Sequence, residues 1–384
     1  MNEPLRGRQD LIHVPLSRPW FDEEEARAAA EVVRSGWLIS GPVVEEFERR
    51  FGSCLGGVEA VAVNSGSSAL LVALAALGVG PGDEVIVPDM TFISTATAAM
   101  YLGARPVFAD INLHNYCLDP KDAERKITPR TKVIIPVHYA GHAADMDEIM
   151  EVARRYGLRV LEDAAESHLA RYRGGAYTGT IGDVGIFSFT PSKPMTTGEG
   201  GMIVTKDPDL AARCRLLRNF GDTDKFRWEM LGFNFRLPEV MGAIGLVQLD
   251  KLDRAVALRR AVAPRYTDAL QDEEAVIPPT LRTPEDGNFQ LYTIRLRLER
   301  LGVDRDAVIR VLEARGVGAR LYYPPLHLQR VFAQDVTRPA DTEAPNAVEF
   351  GQTALSLPIF PTLSTEEQGY VIATLRDILQ THRR

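Results

Sequence analysis

Lys193 lies between an apolar run and a glycine cluster, in Phe187-Ser188-Phe189-Thr190-Pro191-Ser192-Lys193-Pro194-Met195-Thr196-Thr197-Gly198-Glu199-Gly200-Gly201. Lys and Arg together number 44, and only seven are lysine. The other six lysines fall in polar stretches that read as solvated loops or helix faces. An amine partly withdrawn from water is a nucleophile toward carbonyl carbon. The glycines after it permit positive φ and close approach of backbone. A surface hairpin carrying an incidental lysine is the plain alternative.

Three further stretches hold residue types with chemistry. In Asn64-Ser65-Gly66-Ser67-Ser68, small residues stand between a β-rich run and a helical one. A helix N-terminus there offers unpaired N–H groups to an anion such as phosphate; a simple N-cap with a tight turn uses the same residues. In Leu161-Glu162-Asp163-Ala164-Ala165-Glu166-Ser167-His168, carboxylates follow an apolar strand. One of them can pair with a protonated heterocycle nitrogen; alternatively Asp163 caps a helix, with Glu166 completing a capping box. In Pro88-Asp89-Met90-Thr91-Phe92-Ile93-Ser94-Thr95, Phe92 either stacks on a planar ring or belongs to the core.

Taken together, an anion cradle, a carboxylate, an aromatic ring and a lysine at strand ends are the parts of a pyridoxal phosphate site. Lys193 would hold the cofactor as a Schiff base and then shuttle protons. Asp163 would keep the pyridine nitrogen protonated, so that the ring acts as an electron sink.

The elements that must position these residues follow a βα rhythm. Strands are expected at 60–63, 84–87, 106–109, 132–137, 159–161, 184–189 and 202–204, with helices at 67–77 and 145–156. That rhythm predicts a mostly parallel sheet covered on both faces, with ligands at the carboxyl ends of its strands. Beyond it come a long Arg/Ala-rich helix at 249–271, the pair Pro278-Pro279, a strand at 290–298, and helices at 304–315 and 366–381. The expected division is an N-terminal arm and large domain over 1–250 and a smaller α+β domain over 251–384.

Composition narrows the function. The net charge of −8 argues against general nucleic-acid binding. No apolar run approaches the length of a membrane span. Met1 to Arg8 contain no apolar signal core, so cytoplasmic location is the expectation. Cys54, Cys117 and Cys214 are odd in number and lack metal-ligand spacing, so they read as reduced thiols and no metal site is expected.

The run Ser188-Phe189 through Lys193 to Gly198-Glu199-Gly200-Gly201 resembles the lysine motif of the DegT/StrS sugar-nucleotide aminotransferases, fold-type I pyridoxal phosphate enzymes. Gly36-Trp37-Leu38-Ile39-Ser40-Gly41-Pro42, Ser65-Gly66-Ser67-Ser68-Ala69-Leu70 and Gly82-Asp83-Glu84-Val85-Ile86-Val87-Pro88 agree in order and spacing. So do Val137-His138-Tyr139-Ala140-Gly141, Glu162-Asp163-Ala164-Ala165-Glu166, Gly232-Phe233-Asn234-Phe235-Arg236 and Tyr323-Pro324-Pro325-Leu326-His327. The resemblance spans nearly the whole chain. It implies Lys193 as the Schiff-base lysine, Asp163 as the pyridine partner, Gly66, Ser67 and Ser188 on the phosphate, and Phe92 against the ring. Glu166 would sit near the phenolic oxygen. Asn234 would reach the phosphate of a neighbouring subunit's cofactor, which makes a homodimer part of the active site.

Two positions depart from the common pattern of that family. Ser67 replaces a frequent Thr, which leaves a backbone N–H role intact. Glu166 replaces a frequent Gln, and a carboxylate beside a phenolate-like oxygen repels it unless one is protonated. Some relatives carry His in place of the lysine and perform dehydration; Lys193 argues for transamination.

The implied reaction moves an amine from L-glutamate to a keto-deoxysugar on a nucleoside diphosphate, as in amino-sugar biosynthesis for polysaccharides or antibiotics. Arg236, the best placed of a basic stretch from Arg213 onward, is a candidate nucleotide contact, though such residues also form solvated helix faces. His327 is a candidate substrate contact, or a structural histidine. A keto-cyclitol or other cyclic ketone is an alternative acceptor. A non-catalytic cofactor-binding regulator is the remote alternative, opposed by the intact Lys193 and Asp163.

Overall fold

Helices α1 (Glu23–Ser35) and α2 (Pro42–Cys54) precede β1 (Glu59–Val63). Then come α3 (Gly66–Ala76), β2 (Glu84–Pro88), α4 (Ser94–Tyr101), β3 (Arg105–Ala109), α5 (Pro120–Arg125), β4 (Thr131–Ile134), α6 (Met146–Tyr156) and β5 (Arg159–Asp163). Strands β6 (Val184–Ser188) and β7 (Gly201–Thr205) follow with no helix between them. Next are α7 (Pro208–Arg218), a short ribbon of β8 (Asp222–Asp224) and β9 (Arg227–Trp228), and the 32-residue α8 (Glu239–Leu270). The rest comprises β10 (Val276–Ile277), β11 (Tyr292–Leu296), α9 (Arg305–Ala314), α10 (Pro345–Thr353), β12 (Ala354–Leu357) and α11 (Thr365–Thr381). The computed structural model describes residues 12–280, 286–332 and 343–384, so the first eleven residues of the expected arm lie outside the described part.

The large sheet has the strand order β1-β7-β6-β5-β4-β2-β3. Strands β3, β2, β4, β5 and β6 pair in parallel. Strand β7 is antiparallel to both β6 and β1. A parallel return needs a crossover, usually a helix, and the β6–β7 connection has none. The two reversals leave β1 running the same way as β6. The ends of β1, β2, β5 and β6 therefore share one edge of the sheet, and the loop carrying Lys193 joins them there.

Strand alternation divides the core. Val61 and Val63 of β1 join the cluster beneath α3, α4 and α7, whereas Ala60 and Ala62 join the one beneath α2 and α8. In β5, Leu161 faces the α3–α4 side and Val160 packs with the Met146, Ile149 and Val152 face of α6. Both faces are thus covered, as near-continuous apolar strands require.

A second core gathers the antiparallel sheet β10-β11-β12, helices α9 and α11, and Val262, Tyr266 and Leu270 of α8. Helix α8 runs through position 250, so the expected division falls inside one continuous helix that serves both cores. It also begins ten residues before the predicted 249. Its first turns hold Gly242 and Gly245, poor helix formers by propensity, and their reason is packing. A Cβ on Gly245 would lie 2.8 Å from Phe47 Cζ, and one on Gly242 would lie 2.8 Å from Val44 Cγ2. Lys251 is likewise not solvated: it pairs with Asp22 at 2.8 Å and Glu25 at 2.9 Å.

Gly245→Ala tests that packing. Helix propensity alone would add about 1 kcal/mol of stability, whereas forcing a methyl against Phe47 costs about 1–3 kcal/mol. The expected result is a lower midpoint in urea; a raised midpoint would show that α2 and α8 have room to spare.

Candidate active site

Strand β5 ends in two carboxylates on opposite faces of the sheet. Glu162 is fully buried and accepts hydrogen bonds from the N–H groups of Gly179 (2.8 Å), Ile181 (2.6 Å) and Gly182 (2.6 Å). It also meets His138 Nε2 at 2.8 Å. Nδ1 of that ring accepts the Ala144 N–H, so the proton sits on Nε2 and points at Glu162. Glu162 thus anchors the chain behind the strand. Asp163 faces the other way, accepting from Thr95 Oγ1 at 2.8 Å and from the Ala165 N–H at 3.2 Å. Burial pushes its carboxyl above the usual range, against the lowering effect of the Thr95 and Ala165 hydrogen bonds and the nearby Lys193. No helix follows Asp163, which removes the capping-box alternative.

The β6–β7 connection is a hairpin, but its lysine is largely withdrawn from solvent. The Lys193 side chain is 10% exposed and its Nζ lies 3.2 Å from Glu166 Oε1. The same oxygen accepts from Tyr323 Oη at 2.9 Å, and Oε2 accepts from the Ala140 N–H at 2.8 Å. Gln290 Nε2 donates to the Ser192 carbonyl, which fixes the turn just before the lysine. Asn288 Nδ2 donates to the carbonyls of Glu166 and His168 and ties down the other side. Strand β11 starts at Tyr292 and not at 290, and the two residues before it that make these bonds lie in the segment leading into it.

At β1, Ser65 caps α3 by accepting the Ser68 N–H at 3.0 Å. The N-cap reading of this turn therefore holds, and a helix start of this kind has N–H groups without intrahelical partners. A Cβ on Gly66 would stand 2.8 Å from Ser188 Cβ, so only glycine lets the α3 terminus meet the end of β6. Ser67 and Ser94 hydroxyls pair at 2.7 Å across the α3 and α4 termini.

Gly66, Ser67, Phe92, Asp163, Glu166, Ser188 and Lys193 all line one cavity of about 350 Å³. Phe92 is 53% exposed with its ring edge toward Tyr323, so it is not core. Three expected residues stand outside that lining. Asn234 is exposed and its backbone pairs with Asn219; Arg236 donates to the Asn219 side chain and stacks on Phe220. His327 is taken up by Asp89, with Nδ1 2.6 Å from Oδ2 and its N–H on Oδ1. Of the basic stretch, Arg215 and Arg218 are paired with Glu59 and Glu48.

Thr95, Tyr323, Asn288 and Gln290 were not read as site residues from the sequence. Thr95 and Tyr323 lie within motifs of the site, one helical turn from Thr91 and beside Pro324, and proximity to those motifs is the available signal. Asn288 and Gln290 lie 95 or more positions beyond the lysine in a polar run with no pattern of its own.

The cavity fits pyridoxal phosphate: a small-residue helix terminus for the phosphate, a buried carboxylate in need of a cation, and an amine beside them. These parts, at the carboxyl ends of a mostly parallel sheet, define a pyridoxal-phosphate-dependent transferase. The model of the DegT/DnrJ/EryC1/StrS aminotransferase family matches residues 19–376, and the chain belongs to that family. It is 41% identical over 374 residues to GDP-perosamine synthase of Caulobacter vibrioides, covering 96% of this chain and 99% of that protein. It is 40% identical over 380 residues to dTDP-3-amino-3,4,6-trideoxy-alpha-D-glucose transaminase of Streptomyces venezuelae, covering 97% and 98%. The crystal structure of S. venezuelae DesV in complex with a ketimine intermediate superposes with a TM-score of 0.88 at 38% identity, over 96% of this chain and 99% of that one. Among the described residues, no helix is long and apolar enough to cross a membrane.

The two carboxylates of β5 should separate in their effects. Glu162→Ala strands several buried N–H groups, each worth about 1–3 kcal/mol, and should lower the urea midpoint sharply. Asp163→Asn should do the reverse in cofactor-free protein. A carboxyl with a raised folded-state pKa favours the native state when protonated and loses that contribution as pH rises through the folded pKa. The variant should therefore melt higher than the parent at neutral pH, with the gap closing as the pH falls. A parent that melts higher at neutral pH would contradict the burial argument.

Proposed function

We propose that this aminotransferase carries an amine from L-glutamate to the keto group of a deoxysugar held on a nucleoside diphosphate, and that it does so as a homodimer with shared sites. The observation that carries the chemistry is the convergence of Lys193, Asp163, Glu166 and the Gly66–Ser67 turn on one cavity. The acceptor class rests on near full-length likeness, at 40% identity and above, to two proteins whose names carry GDP- and dTDP-linked sugars.

When bound, pyridoxal phosphate supplies an electron sink for the charge left as a proton leaves the substrate carbon. The chain does the rest. The N–H groups of Gly66 and Ser67 at the α3 terminus and the Ser188 hydroxyl would bind the phosphate. Asp163 would hold a proton at the pyridine nitrogen; that cation meets the buried carboxylate's need for an opposite charge. Phe92 would lie against the ring. Lys193 would bind the cofactor covalently and, once displaced by substrate, move the proton in both halves of the reaction.

Asn234 and Arg236 belong to this reading through a second subunit, Asn234 reaching the phosphate and Arg236 the nucleotide. Support comes from exposed apolar residues on two segments: Trp37, Leu38 and Ile39 before α2, and Phe226, Trp228 and Leu231 near β9. Patches of this kind mark interfaces. His327, held by Asp89, lies close in sequence to Tyr323 and would shape the substrate end of the cavity.

Protein with Lys193→Ala should lose both its visible absorbance with cofactor and its glutamate-dependent turnover; retention of both would sink the assignment. A panel of GDP- and dTDP-linked keto sugars beside free cyclic ketones should show turnover confined to the nucleotide-linked acceptors, and preference for a free keto-cyclitol would select the alternative acceptor. Asn234→Ala should weaken cofactor affinity, read by fluorescence titration at fixed protein concentration. Unchanged affinity would count against a site shared between subunits.

A further inference from the structure

Glu166 is a carboxylate buried to 5% exposure with three donors converging on it. Lys193 Nζ and Tyr323 Oη both address Oε1, at 3.2 and 2.9 Å, while the Ala140 N–H holds Oε2 at 2.8 Å. Lys193 thus shares its counter-ion with a neutral hydroxyl. Burial, with the Glu166 charge second, pushes the Tyr323 phenol well above its ordinary range, so it remains a donor throughout the neutral region. Its seat is fixed from several sides. The ring packs edge-on against Phe92 and Tyr322, and the Tyr139 hydroxyl donates to the Tyr322 carbonyl. Four residues on, the His327–Asp89 pair pins the same segment to the end of β2.

We propose that Tyr323 is a positioning residue for the transamination: its hydroxyl draws off part of the Glu166 charge and so sets, through Glu166, the proton affinity of the Lys193 nitrogen. The inference rests on the reading that Lys193 binds the cofactor covalently. Its physical basis is the sharing of one acceptor oxygen. A hydrogen bond from a neutral donor disperses carboxylate charge, which weakens the field felt by a cation on the same oxygen. Left undamped, the Glu166 carboxylate would over-stabilise a proton on the lysine nitrogen and hold the proton that must move. Other titratable groups also face this cluster: the Lys193 charge acts on Asp163 and His168, and the Glu166 charge on Asp163, Tyr139, Tyr322 and Cys117. Removal of one hydroxyl from Tyr323 leaves all of them in place.

The test is a pH titration of the visible absorbance of protein loaded with pyridoxal phosphate. Tyr323→Phe should move the midpoint upward by about half a pH unit, roughly a threefold change in proton affinity. Glu166→Gln should move it downward, and Tyr323→Phe added to Glu166→Gln should move it no further. A midpoint unchanged by Tyr323→Phe, or shifted equally in both backgrounds, overturns the proposal, because a merely structural tyrosine would not act through the charge of Glu166. Should Tyr323→Phe not fold, Glu166→Gln still decides, since a midpoint equal to that of the parent removes the charge on which the proposal depends. Absence of any visible band in the parent protein would instead count against the cofactor reading.

Discussion

The structure is organised around the burial of carboxylates at the end of one strand. Glu162 and Asp163 are adjacent in sequence, and the pleat of β5 sends them to opposite sides of the sheet. Burying charge is costly unless it is met by donors. Glu162 is met completely, by three backbone N–H groups and His138, and in return it fixes the turn at 179–182 behind the sheet. Among the described residues, Asp163 accepts from Thr95 and Ala165. The protein is left with a carboxylate whose burial outweighs those bonds, facing a cavity that holds an amine and a helix terminus. That deficit is what a cationic pyridine nitrogen would fill.

The same logic governs the other charges of the site. Lys193 is held by Glu166, Glu166 is steadied by Tyr323 and Ala140, and the segment bearing Tyr323 is anchored through His327 to the fully buried Asp89. The links from Glu166 to Tyr323 and from His327 to Asp89 join parts of the chain 157 and 238 positions apart. Asn288 and Gln290 extend the pattern, gripping the Glu166–His168 and Ser192 loops beside the lysine from the segment that leads into the small sheet. The small core therefore does more than close the molecule. Through α8, which packs in both cores, and through these polar bonds, it sets the geometry of a site built on the large sheet.

Much of the site was legible because its residues cluster in short runs at strand ends. A parallel sheet places its loops at one edge, so the Ser65–Ser68 turn, Phe92, Asp163 and Lys193 could be grouped from the βα rhythm, while Ser188 and Glu166 entered through the family resemblance. The fold class followed from the same rhythm. Element ends were less legible. Helix α8 starts at Glu239 because Gly242 and Gly245 accommodate α2, a reason that exists only once the helices touch. The direction of β7 was hidden in an absence, the lack of a crossover helix after Lys193.

By itself the sequence determined the chemistry: one lysine in an apolar setting, a carboxylate ending a strand and a small-residue turn, with spacing enough to imply the family. These are local features, and a short motif encodes them because their geometry is set by neighbouring backbone. Tertiary structure decided which partners those groups have. It gave Glu166 to both Lys193 and Tyr323, assigned His327 to Asp89, and left Asn234 outside the cavity of its own chain. Contacts between residues separated by a hundred positions or more leave no periodicity in the sequence; they arise when two cores, joined by one long helix, bring their loops to the same edge.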